Sequence, residues 1–136
     1  MIETIVADTN VVSYLMKGGP LGAEYAVVIR GKVVAISFMT VAELLYGAEI
    51  AQWGPARRTK LEELIHNFLI LPYEYETCKV WADITAARRR KGKAISCADA
   101  WVAACAIQHE IPLVTHNHRD FTDIPRLQLI TASSGA

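Results

Sequence analysis

Apolar positions come in short blocks along this chain, and the polar residues that interrupt them fall at regular places. Residues 4–7 form a brief apolar run that stops at Asp8-Thr9-Asn10, which predicts a buried strand. Val11, Val12, Leu15 and Met16 then recur at helical spacing, and Gly18-Gly19-Pro20 is expected to stop that helix. A second helix is expected over 21–29, closed by Gly31. Residues 33–38 are β-branched and apolar and predict a second buried strand. Thr40 is expected to open a third helix carrying Val41, Leu44, Leu45 and Ala48. Beyond Gly54-Pro55, residues 56–68 are amphipathic, with Leu61, Leu64, Ile65 and Phe68 on one face. Residues 69–71 fit a short strand before Pro72, and 74–91 fit a helix. Ser96 opens another helix through Ala106, with Ala98, Trp101, Val102, Cys105 and Ala106 facing inward. Strands are expected at 111–115 and 127–131.

Strands thus alternate with helices almost throughout. That order predicts an α/β fold, with a central, mostly parallel sheet of four to five strands flanked by helices. The chain has 136 residues, which fits one domain with one real core. The domain is expected over 1–132, with 133–136 as a loose tail.

Composition narrows the function. The formal net charge is zero, whereas a passive nucleic-acid coat would be basic, because neutralising phosphates drives that binding. An enzyme with an acidic site and a basic rim remains compatible. Cys78, Cys97 and Cys105 are odd in number and lack zinc-ligand spacing. Cys97 and Cys105 are expected in the core, and a reducing cytoplasm follows. No signal peptide and no membrane span is expected from the hydropathy pattern.

In an open α/β sheet, ligands bind beyond the carboxyl ends of the strands. Asp8 follows the first strand, Glu43 sits one turn after the second, and Asp120 follows the strand ending at Thr115. Asp99 lies in the first turn of its helix. Each acid also has a structural reading. Thr40 to Glu43 and Ser96 to Asp99 both fit capping boxes, and Asp8 or Thr9 fits a helix cap. Four carboxylates meeting at one sheet edge, however, repel one another and call for a cation. Oxygen ligands without Cys or His suit Mg²⁺ or Mn²⁺, and such ions suit phosphodiester hydrolysis.

The same residues carry a family resemblance. Ala7-Asp8-Thr9-Asn10 resembles the opening motif of PIN domains, and Thr40-Val41-Ala42-Glu43-Leu44-Leu45-Tyr46-Gly47 their second. Ser96 to Ala104 is similar to the third motif, and Thr115-His116-Asn117-His118-Arg119-Asp120-Phe121 to the last. The four stand in family order over residues 5–121, and a lone short domain with the Glu43–Gly47 motif resembles the VapC type of toxin nuclease. That resemblance implies a PIN-like fold and a Mg²⁺- or Mn²⁺-dependent endoribonuclease acting on RNA. It also implies a homodimer and a small VapB-like antitoxin partner. Asp8, Glu43 and Asp99 would be the main metal carboxylates and Asp120 the fourth acid. Some relatives carry an acid at the position of Asn117, which leaves two residues competing to complete the site. Thr115 and Thr9 would position water or phosphate, and Asn10 would brace Asp8.

Arg88, Arg89, Arg90, Lys91 and Lys93 form the main basic run and either hold RNA backbone or cap a solvated helix end. Arg57, Arg58 and Lys60 fit a solvated face, His116 and His118 an exposed loop, and the three tryptophans core or interface. A groove for an antitoxin would lie among helices 21–29 and 42–51. Phosphatase and receiver-domain chemistries are disfavoured: Asn10 stands where the first wants a second Asp, and the acidic pair and lysine of the second are missing. A catalytically weak PIN-fold module that binds RNA or protein is the alternative function.

Overall fold

The computed structural model describes residues 1–132; the expected tail at 133–136 lies outside the described residues. Five strands form one sheet in the order β3-β2-β1-β4-β5, and every pairing is parallel. The strands are β1 (Thr4–Ala7), β2 (Val33–Ser37), β3 (Leu69–Leu71), β4 (Leu113–Val114) and β5 (Leu129–Ile130). Helices α1 (Thr9–Lys17) and α2 (Gly19–Ile29) join β1 to β2, and α3 (Phe38–Ile50) and α4 (Pro55–His66) join β2 to β3. The chain then crosses back through α5 (Tyr75–Arg90) and α6 (Cys97–Gln108) to β4, and α7 (His118–Phe121) leads to β5.

Side chains alternate across the strands and feed two cores. Ile5, Ala7, Ile36 and Val114 pack with α1 to α4, and Val6, Ala35 and Leu113 pack with α5 and α6. Both sheet faces are therefore covered, as the continuous apolar strands require. The order of connections reverses at β1, with β2 on one side and β4 on the other. The crevice where ligands collect in such sheets opens beyond the ends of these two strands, where Asp8 and Thr115 stand.

Several local expectations are corrected. Gly19-Pro20 opens α2 rather than merely stopping α1, since a proline at the first helical positions loses no hydrogen bond. Gly22 then allows close passage of α1: a Cβ there would meet the Tyr14 carbonyl oxygen at 2.5 Å. Helix α3 starts at Phe38, and its cap is Ser37, whose Oγ accepts the Thr40 amide at 3.1 Å. Thr40 is a buried residue inside the helix, so no capping box runs from it to Glu43. β4 and β5 are shorter than expected; at the start of β4, Pro112 has no N–H to donate and only accepts, from Val6. α6 is buried almost all round from Ala100 to Ile107, its small alanines letting it lie between α5 and the sheet. Cys105 is in the core as expected, where burial pushes its thiol up to about 12, but Cys97 is exposed on the first turn of α6.

Candidate active site

Asp8 ends β1 and caps α1. Its Oδ1 accepts the Thr9 amide at 2.8 Å and its Oδ2 accepts the Thr115 hydroxyl at 2.8 Å. The residue is only 4% exposed, and burial raises its pKa to about 6. The nearby charges of Asp99 and Glu43 push the same way, against the two hydrogen bonds. Thr115 closes the loop from the other strand, its Oγ1 also accepting the Asn117 amide at 3.0 Å.

Glu43 stands in the second turn of α3, half-buried, and Thr9 Oγ1 donates to its Oε1 at 2.7 Å. Asp99 occupies the first turn of α6, where Ser96 Oγ accepts its amide at 3.1 Å. Burial again raises the Asp99 pKa, joined by the charges of Asp120 and Glu43 and opposed by a hydrogen bond from the Ser96 side chain to the carboxyl and by Arg88. Asp120 is exposed on α7. Four acids from four separate parts of the chain therefore feel one another at this edge of the sheet, through Asp8–Asp99, Asp8–Glu43, Asp99–Asp120 and Asp99–Glu43.

These donors are all hard oxygens, which fits Mg²⁺ or Mn²⁺ better than zinc. Among the described residues no three acid, imidazole or thiol groups converge closely enough to enclose an ion unaided. Mg²⁺ does not ask for such a cage: it keeps several waters and takes one or two carboxylates together with substrate oxygens. A repelling acid set in which the Asp8 and Asp99 pKa values are raised suits that mode.

Other candidates fall differently. Asn10 is half-buried, but the groups holding Asp8 are Thr9 and Thr115. Asn117 takes the cap position of α7. Arg88 does not sit with the solvated cations. It is buried, and its guanidinium donates to the carbonyls of Lys93, Asp120 and Thr122 at 2.9 to 3.3 Å. Arg89, Arg90 and Lys91 are exposed at the end of α5, and Lys93 pairs with Asp123 at 3.2 Å. His116 is no exposed loop histidine either: Nδ1 lies 2.7 Å from the Tyr25 hydroxyl, and its ring packs edge-on to Tyr14 and Tyr25. His118 is half-buried as well.

Beside the acids lies a feature that sequence reasoning located only in part. A cleft of about 460 Å³ runs between α1, α3 and α4, reaching Thr9 and Glu43 at one end, with Lys17, Arg57 and Lys60 among its walls. The Arg57 guanidinium lies 3.9 Å from the centre of the Trp53 ring. Of the two helices expected to supply a groove, 42–51 contributes Glu43, Leu44, Gly47 and Ala48 to this cleft, whereas 21–29 contributes none of its lining residues. Trp53, just before α4, and Arg57, in its first turn, were the available signal.

A family model described as the PIN domain matches residues 5–127. Ribonuclease VapC2 of Haemophilus influenzae is 31% identical over 121 residues, covering 89% of this chain and 92% of that protein. The structure of VapBC-1 from nontypeable Haemophilus influenzae is similar at a TM-score of 0.83 and 27% identity, over 94% of this chain and 97% of that one. A toxin–antitoxin complex from Klebsiella pneumoniae is similar at a TM-score of 0.69 and 26% identity, over 93% and 96% of the two chains.

Proposed function

This chain belongs to the PIN-domain family, and we propose that it is the endoribonuclease toxin of a VapBC-like toxin–antitoxin pair, cutting RNA with the help of a divalent cation. The observation that carries the reading is the set of four carboxylates linked by repulsion near the β1/β4 switch point, Asp8 and Glu43 each facing Asp99 and one another and Asp120 facing Asp99, with Asp8 raised to about 6. The ribonuclease relatives and the toxin–antitoxin structures support it from outside the site. The partner is a VapB-like antitoxin, and a homodimer is part of the proposal. No helix of the described residues is long and apolar enough to cross a membrane, and three free thiols suit a cytoplasmic setting. The nuclease unit is taken as 1–132.

Asp8, Glu43 and Asp99 would hold the cation, with Asp120 as the fourth acid and Asn117 its competitor for that place. Mg²⁺ is preferred, with Mn²⁺ as a substitute. When bound, the cation supplies the charge that makes a water acidic and offsets charge building on the scissile phosphate. The chain's own work is to position and to exclude. Thr9 and Thr115 fix the two inner carboxylates, and the apolar strand ends close the floor beneath them. Arg89, Arg90 and Lys91 stand ready to hold RNA backbone, while Arg88 braces the loop that carries Asp120. In-line attack by water leaves a 5′-phosphate and a 3′-hydroxyl.

The test is cleavage of total RNA by purified protein with Mg²⁺ or Mn²⁺, with EDTA, and with Asp99→Asn. Cleavage should need the metal and vanish in the folded variant. A 2′,3′-cyclic phosphate product would contradict the mechanism, because the RNA's own 2′-hydroxyl would then be the nucleophile.

A further inference from the structure

Three hydroxyls line up behind Glu43. Ser37 Oγ lies 3.4 Å from Thr40 Oγ1, Thr40 Oγ1 lies 3.0 Å from Thr9 Oγ1, and Thr9 Oγ1 lies 2.7 Å from Glu43 Oε1. Ser37 and Thr40 are fully buried. A hydroxyl owns one proton, and a carboxylate only accepts. The Thr9 proton is therefore committed to Glu43, the Thr40 proton to Thr9, and the Ser37 proton to Thr40. Only one direction satisfies every link. Ser37 is itself fixed, since its oxygen also caps α3 by accepting the Thr40 amide at 3.1 Å.

We propose that Thr40 is a positioning residue for the nuclease site: through the polarised chain Ser37→Thr40→Thr9→Glu43 it sets the rotamer of Thr9 and so the place of the Glu43 carboxylate. The chain joins both inner acids, because the Thr9 amide is held by Asp8 while its hydroxyl is held by Glu43. Thr9 consequently serves the carboxylates, and its proton is not free for phosphate. Glu43 has three side-chain torsions and is only half-buried, so one hydroxyl that cannot rotate decides whether its oxygen faces Asp8. Partners of this kind behind a metal-binding carboxylate change metal affinity about 10–100-fold when removed.

The proposal rests on Glu43 as a cation-holding acid, so the experiment reads the rotamer and the cation separately. Full-length wild type, Thr40→Ser and Thr40→Val are compared for the Thr9 side-chain rotamer by three-bond couplings without metal, and for Mn²⁺ affinity by calorimetry. Wild type and Thr40→Ser should show one Thr9 rotamer and the same Kd. Thr40→Val should show rotamer averaging and a Kd about tenfold weaker. A folded Thr40→Val with Thr9 still fixed, or with an unchanged Kd, overturns the proposal. Should Thr40→Val not fold, Thr40→Ala takes its place with the same two readouts. The folded variant also enters a cycle with Thr9→Val: if residue 40 acts through Thr9, the double variant is no weaker than Thr9→Val alone, and additive losses overturn the link. A wild type that binds no Mn²⁺, while residue 40 still governs the Thr9 rotamer, supports the positioning and strikes the metal reading instead.

Discussion

Arg88 holds Asp120 by its backbone carbonyl, at 3.3 and 3.2 Å from the two terminal guanidinium nitrogens, and the two side chains form no ion pair among the described residues. A second carbonyl, that of Thr122, is bound at 3.3 Å. The buried cation thus fastens the C-terminal end of α7 without neutralising the acid that α7 carries. Its charge still reaches Asp99, whose carboxyl it favours in the ionised form. Arg88→Met should therefore cost about 1–3 kcal/mol, the range for a lost charged hydrogen-bond donor. Amide exchange at 118–122 should quicken more than elsewhere. An unchanged exchange pattern in that loop would sink the bracing role.

The neighbouring cations should behave in the opposite way. Arg89, Arg90 and Lys91 are exposed, so Arg89→Ala and Arg90→Ala should leave the melting temperature almost unchanged. If they hold RNA phosphates, each loss weakens RNA binding across sequences and lowers the salt slope by about one. Binding of catalytically silenced Asp99→Asn protein to RNA at several salt concentrations measures this directly. A salt slope equal to that of the parent would make these residues a solvated helix end.

Asp8 gives a pH dependence of known sign. Its carboxyl is raised from 3.8 to about 6 in the fold, so the folded state keeps a proton that the unfolded chain has released between those values. Metal-free stability should fall as pH rises through that window, by on the order of 3 kcal/mol. Asp8→Asn removes the dependence and one hydrogen-bond acceptor worth about 1 kcal/mol. In EDTA the variant should therefore melt higher than wild type at pH 7 and lower at pH 4. Saturating Mn²⁺ should reverse the order at pH 7, since only the wild type gains from binding. Melting curves at both pH values, with and without metal, decide it; a wild type that is the more stable at pH 7 in EDTA would refute the buried, repelled carboxyl.

Much of this was legible in the chain because strand ends are marked twice, once by the end of an apolar run and once by the acid that follows. Asp8 and Glu43 could be assigned to the sheet edge on that basis, whereas Asp99 follows no strand and was read from the first turn of its helix. Contacts between elements were not legible. Nothing in Arg88-Arg89-Arg90-Lys91 tells which arginine turns inward, because that depends on where α7 lies 30 residues later. His116 likewise looked like a loop residue until Tyr14 and Tyr25, about 90 positions away or more, were packed around it. Thr40 is not the cap because the helix starts one turn earlier, where Ser37 accepts the amide of Thr40 itself. Two hydroxyls with capping character stood one turn apart, and local sequence ranks them equally.

Two glycines on the same side of the sheet offer opposite outcomes from one substitution. At Gly22 an added methyl would stand 2.5 Å from the Tyr14 carbonyl oxygen, which is backbone and moves only if α1 moves. Gly22→Ala should cost about 1–3 kcal/mol, as overpacking does. Because α1 begins at the residue that bonds both Asp8 and Glu43, it should also weaken Mn²⁺ binding. Gly47 lies inside α3 with nothing within 4 Å of its would-be Cβ, so Gly47→Ala should stabilise by about 0.5–1 kcal/mol through helix propensity. Gly47 also lines the cleft beside Glu43, and the same methyl should crowd whatever enters there. Melting of both variants, with Mn²⁺ titration of each, separates the effects. A Gly22→Ala protein as stable as wild type would mean that α1 and α2 pack more loosely than their geometry requires.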